Sequence, residues 1–159
     1  MAIRCSSKAI ILHEGKILLN RCASRDGSAY YDLPGGGQHT YETLEQAVVR
    51  EVLEETGYRV AVDRFVALSE EIYDDPDTRQ RYPEYTHRIA HIFLAHLEDE
   101  TVRDCSEPDL DQTGSFWFSA EEADRLPMAP SSLNGRLSEL ISCGHPIDLG
   151  CTRIAKSVQ

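Results

Sequence analysis

Glu51, Glu54 and Glu55 carry the most pointed chemistry in this chain. On a helix their i, i+3 and i+4 spacing places all three carboxylates on one face, one turn apart. Stacked like charges repel, and a helix built only for stability would interleave a Lys or Arg. The arrangement makes sense if a hard cation sits among them, since Mg²⁺ takes oxygen ligands and keeps several waters. Most charge runs are solvated helix faces, but the flanks here argue for more. Arg50 adjoins the acids and can hold a carboxylate by a bidentate pair. The glycines Gly35 to Gly37 lie upstream and let backbone carbonyls approach the same ion.

The positioning elements follow from the same stretch. Pro34 and Gly35 to Gly37 forbid a regular helix before it. Leu44, Ala47, Val48 and Val52 then recur at intervals of three and four, the apolar face of an amphipathic helix. Gly57 is its stop signal.

Gly36 to Tyr58 resembles the Nudix box: Gly, five residues, Glu, seven residues, Arg-Glu, an apolar residue, any residue, Glu-Glu, any residue, Gly, an apolar residue. Gly36, Glu42, Arg50, Glu51, Val52, Glu54, Glu55 and Gly57 stand in register. Such a match arises by chance on the order of 10⁻⁸ times per starting point at ordinary residue usage. Tyr58 replaces the usual aliphatic residue, and Tyr31 of Tyr31-Asp32-Leu33-Pro34-Gly35 replaces the family's Trp; neither touches the charged set. The resemblance covers about a quarter of the chain strongly and the rest by element order.

The resemblance implies an α/β Nudix fold, a mixed β-sheet sandwiched between helices (α/β/α). It implies a pyrophosphohydrolase acting on a nucleoside diphosphate linked to another group X: a nucleotide sugar, a nucleoside triphosphate or a dinucleoside polyphosphate. The cofactor would be Mg²⁺ (or Mn²⁺), ligated by Glu51, Glu54, Glu55 and the carbonyl of Gly35. Arg50 would belong to the catalytic set by pairing with Glu42 to brace the loop. The general base is either Glu51 or an acid within Glu98 to Asp111. One alternative is a non-catalytic nucleotide sensor; such relatives usually lose box acids, and this chain keeps them all. Another is an isoprenoid diphosphate isomerase, which wants a pocket cysteine; Cys22 and Cys105 are the candidates, in local patterns unlike that subfamily.

The 159 residues, 41% hydrophobic and 27% charged, read as a single soluble domain spanning 1–159. No apolar run reaches membrane-span length and no N-terminal run has a secretory form. Five widely spaced cysteines without a Cys-x-x-Cys pair suggest reduced thiols in a cytoplasm. The net charge of −11 repels polyanions, so no nucleic acid polymer is expected as partner, nor a membrane. The expected ligand is a small nucleoside diphosphate derivative, on a monomer or homodimer.

Elsewhere, Lys8 to His13 and Lys16 to Arg21 predict two strands around Glu14-Gly15, and Cys22 to Ala29 a loop flanked by Arg21 and Arg25. Val60 to Ser69 and Ile89 to Leu97 predict strands. Asp74 to His87, with Pro76 and Pro83, predicts a long polar loop whose Arg79, Arg81 and Tyr82 are candidate substrate contacts, beside Tyr85 and His87. His87, His91 and His96 lack metal-site spacing. Gly114 to Ser119 predicts an aromatic strand, with Trp117 in the core. Ser119 with Glu122 forms a capping box opening a helix from Ala120 to Leu126. Ser131 or Ser132 would cap a second helix through Ile141; no period is legible from Cys143 onward.

Overall fold

The computed structural model describes residues 3–24, 26–105 and 111–155. In chain order the elements are β1 (Arg4–His13), β2 (Lys16–Ala23), β3 (Ala29–Asp32), β4 (Gly35–Gly37), α1 (Leu44–Thr56), β5 (Val60–Tyr73), α2 (Pro76–Arg81), β6 (His87–Leu97), β7 (Gln112–Ser119), α3 (Ala120–Ala123), β8 (Met128–Ala129), α4 (Leu137–Ser142) and β9 (Ile147–Ile154). Short 3₁₀ turns cover Pro83–Tyr85 and Ser131–Leu133.

The strands form one mixed, branched sheet in the order β8-β3-β2-β1-β6-β5-β9, with β4 added to β1 and β7 to β2. β1 and β6 run parallel in its centre, while β5 lies antiparallel to β6. Alternation along these strands sends side chains to two cores. Ala9, Ile11, Phe93 and Ala95 meet Val48 and Val52 of α1 on one face. Ile10, Ile92 and Val66 meet Leu133, Leu137 and Leu140 on the other. Helices thus cover both faces, the α/β/α arrangement expected.

Helix α1 has the predicted face and ends. Thr43 caps it through a reciprocal box with Gln46, and Gly57 closes it in the left-handed region (φ 75°). Tyr58 stacks edge-on against Trp117 and Tyr31 against Phe118, so both substituted motif positions are filled by aromatic packing.

Several predicted boundaries are corrected. The segment from Asp74 to His87 is helical rather than a plain loop: Asp75 accepts from Thr78 N–H and Pro76 starts α2, a position where proline's missing donor costs nothing. The polar stretch after β2 is shorter than predicted, because β3 forms and pairs Tyr30 with Cys22. Helix α3 stops at Ala123. The next helix begins at Leu137, not after Ser131; Gly135 (φ 69°) breaks the path and the Asp124 carboxylate accepts from Leu137 N–H at 2.7 Å. β9 was illegible because Gly150 (φ 76°) and a register shift against β5 put its two halves out of phase.

Candidate active site

The Arg50 guanidinium organises the acids. Its Nε and Nη2 donate to the two oxygens of Glu42 at 2.8 and 2.9 Å. Its Nη1 donates to Glu51 Oε1 at 2.9 Å and Glu54 Oε2 at 3.0 Å, and Nη2 also donates to the Gly37 carbonyl at 3.0 Å. All five donors are spent, tying the box loop to one face of α1. The paired Arg50 holds the Glu42 carboxyl down at about 2, and the Glu42 carboxylate in turn raises the Arg50 guanidinium further above its ordinary value.

Glu51 and Glu54 form the acidic wall of a cleft of about 600 Å³. Gly35, Gly36 and Gly37 continue that wall. At Gly36 a Cβ would stand 2.4 Å from Glu51 Oε2, so glycine lets the carboxylate touch the main chain. At Gly35 (φ 131°) a Cβ would stand 2.1 Å from the Ser7 carbonyl. The floor comes from alternate residues of the central strands: Arg4, Ser6 and Lys8 from β1, Arg88 and Ala90 from β6, Ser69 and Glu71 from β5. Tyr30, Tyr85, Ala129 and Pro130 line the remaining sides. Lys8 pairs with Asp32 at 2.7 Å, and Arg88 donates to Glu71 at 2.5 Å and to Tyr73 OH at 3.0 Å.

Glu55 is placed differently from its neighbours. It is buried and does not line the cleft. Its Oε2 accepts from Asn20 Nδ2 at 2.8 Å and from Gly35 N–H at 3.0 Å. Asn20 is held in turn by Ser115, which donates to its Oδ1 at 2.7 Å. Glu55 therefore fastens the glycine turn to α1 from below.

The donors suit a hard divalent cation. Glu51 Oε2 and Glu54 Oε1 are left over by Arg50, and Glu51 Oε2 lies against the main chain at Gly36. Among the described residues no three His, Cys, Asp or Glu side chains form a ready cage, so a cation here would draw on main-chain oxygens and water as well, which is the habit of Mg²⁺.

Other sequence-predicted residues lie elsewhere. Arg79, Arg81 and Tyr82 are not among the cleft-lining residues; Arg79 is spent on the Tyr73 carbonyl and on Asp74. Tyr85 alone of the predicted aromatic candidates in that segment reaches the cleft. Asp99 pairs with Arg103 at 2.8 Å and Glu100 with His13 at 3.4 Å, and none of the described acids from Glu98 to Asp111 lines the cleft. Arg25, Glu107 and Asp109 lie outside the described residues. No cysteine lines the cleft: Cys22 is buried and Cys105 exposed elsewhere. His87 and His96 pair with Glu70 and Asp63, each at 2.7 Å. The floor residues of β1, β5 and β6 were missed. Their signal was a polar first half of β1, Arg4, Ser6 and Lys8 at alternate positions of an otherwise apolar strand.

A NUDIX domain family model matches residues 5–136. The chain belongs to the Nudix family. It is 34% identical over 128 residues, 79% of this chain and 82% of the other, to a protein of Escherichia coli (strain K12) named CTP pyrophosphohydrolase. It is 35% identical over 85 residues, 54% of this chain and 46% of the other, to an ADP-ribose pyrophosphatase of Methanocaldococcus jannaschii. The crystal structure of the MutT protein from Bacillus halodurans superposes with a TM-score of 0.72 at 19% identity, covering 99% of this chain and 94% of that one, a likeness of fold. This Nudix chain is a pyrophosphohydrolase of a family acting on nucleotide derivatives. No helix among the described residues is long and apolar enough to cross a membrane.

Proposed function

We propose that the cleft hydrolyses a phosphoanhydride bond in a small nucleoside diphosphate derivative, with Mg²⁺ or Mn²⁺ as cofactor. The observation that carries this reading is the Arg50 bridge, which sets Glu51 and Glu54 side by side against the glycine backbone at the cleft wall. Glu51, Glu54 and the Gly35 carbonyl would hold the cation, and Glu55, the third expected ligand, would position Gly35 through its hold on the N–H. When bound, the cation supplies neutralisation of the phosphate oxygens and acidifies water.

Arg50 is a positioning residue: it fixes the acids and has no donor left for substrate. Glu51, packed on Gly36 beside the cleft, is the candidate general base, because no described acid from Glu98 to Asp111 lines the cleft. Arg4 brings positive charge to the floor, where Lys8 and Arg88 are balanced by Asp32 and Glu71, against an overall charge of −11. The nucleotide named for the 34%-identical relative makes CTP the first compound to try. The test is product analysis after incubation with CTP, other nucleoside triphosphates, ADP-ribose, sugar nucleotides and a dinucleoside polyphosphate, with Mg²⁺ or with chelator. Nucleoside monophosphate formed only with the divalent ion supports the proposal. Equal turnover in chelator would overturn the cofactor assignment, and no turnover of any compound would overturn the substrate assignment.

A further inference from the structure

Among the described residues, Arg4 is the cleft arginine or lysine with no carboxylate partner. Lys8 is paired with Asp32, Arg50 with three glutamates, and Arg88 with Glu71. No hydrogen bond or ion pair ties up the Arg4 guanidinium among the described residues. It is nevertheless held in place. The Tyr85 ring lies 4.7 Å from its Cζ, a cation–π contact. It also rests on Gly37, where a Cβ would come within 2.6 Å of Nη2 and 2.9 Å of Cζ. The Gly37 carbonyl also accepts from Arg50 Nη2, so Arg4 and the acid-holding arginine sit on the same glycine.

The strand register adds a second observation. Arg4 and Arg88 are partners in the parallel β1–β6 ladder, so their side chains leave the same face next to each other. Like charges in that relation are unfavourable, and the register partner Glu71 is spent on Arg88. Among the described residues Arg88 Nε has no hydrogen-bond partner and is buried. Two neighbouring guanidiniums with unspent donors, both lining the cleft, ask for an anion between them.

We propose that Arg4, seated between Gly37 and Tyr85 and assisted by Arg88 Nε, binds the terminal phosphate of a nucleoside triphosphate. This rests on the hydrolytic function proposed above. An internal phosphoryl group has two non-bridging oxygens, both wanted at the acid wall. A terminal one has three and a further negative charge, which matches the planar fork of a guanidinium. A sugar X group offers neutral hydroxyls, a poor match for five charged donors with no acceptor among them.

The experiment compares wild type with Arg4→Ala and Arg4→Lys on CTP and on CDP-choline, a matched nucleoside diphosphate ester without a terminal phosphate. Equal melting temperatures check the fold. With Arg4→Ala, kcat/KM for CTP falls about ten-fold or more, carried by KM, while that for CDP-choline changes less than about three-fold. Arg4→Lys restores only part of the loss. Equal losses on both compounds, no loss on either, or wild-type turnover confined to CDP-choline would overturn the proposal. If wild type turns over no nucleotide at all, the hydrolytic reading fails separately, and calorimetry with inorganic triphosphate decides this site. Binding lost in Arg4→Ala supports the anion site; binding unchanged, or absent from wild type, overturns it.

Discussion

At the residue scale, three neighbouring glutamates have two different jobs. Glu51 and Glu54 border the cleft with Arg50 between them, whereas Glu55 is buried under Gly35 and Asn20. Glu54→Gln should therefore remove activity and leave the melting temperature near wild type. Glu55→Gln should lose activity and also about 2 kcal/mol of stability, since an amide cannot replace a buried charge-assisted acceptor and brings donors towards donors. Urea unfolding of both variants checks this; equal stability of the two would contradict it. Glu42 gives a pH prediction. Its carboxyl lies at about 2 when folded against an ordinary 4.5, because the Arg50 hydrogen bonds, helped by the His39 N–H, outweigh the opposing cost of burial. A depressed carboxyl contributes stability that is complete above its unfolded value and lost as pH falls through the folded one. Between about pH 4.5 and 2 the wild type should thus lose stability more steeply than Glu42→Gln, measured by denaturant midpoints at pH 5 and pH 3; parallel slopes would refute the pairing.

At the element scale, α1 and its caps decide whether the acids meet the cleft. Gly57 closes α1 with a positive φ, and its N–H donates to Leu53 O at 3.0 Å. A Cβ there would stand 2.1 Å from the Arg103 carbonyl, a backbone atom that cannot swing aside. Gly57→Ala should cost at least about 2 kcal/mol, seen as a lowered melting temperature; a melt unchanged from wild type would contradict the cap. This helix was legible because its apolar spacing, its glycine stop and its acidic face all lie within one short segment. The capping box at Ser119 was legible for the same local reason. What escaped the sequence depends on partners far along the chain. Asp124 caps α4 from outside that helix, and β9 is a strand only because β5 offers it an edge. The two prolines that suggested a loop at Asp74 to His87 instead begin a helix and a 3₁₀ turn, positions proline permits as readily.

At the scale of the whole molecule, the sheet brings residues from β1, β5 and β6 to one floor opposite the acid wall. Arg4, Glu71 and Arg88 are separated in sequence but neighbours in register, and no local pattern could announce that juxtaposition. The box acids needed only helical geometry, so that half of the site was readable; the substrate half needed the topology. The same view bears on partners. With a net charge of −11, the molecule should show no binding to duplex DNA at about 100 mM salt by fluorescence anisotropy, and a saturable shift would contradict the small-molecule assignment. The most direct measurement is CTP turnover by wild type and Glu54→Gln, each titrated with Mg²⁺ from chelated buffer to saturation. Wild-type turnover that rises from zero with Mg²⁺, against a loss of at least about 100-fold in Glu54→Gln at saturation, is expected. An equal rate in the variant at saturating Mg²⁺ would contradict the placing of the catalytic metal at this acid wall.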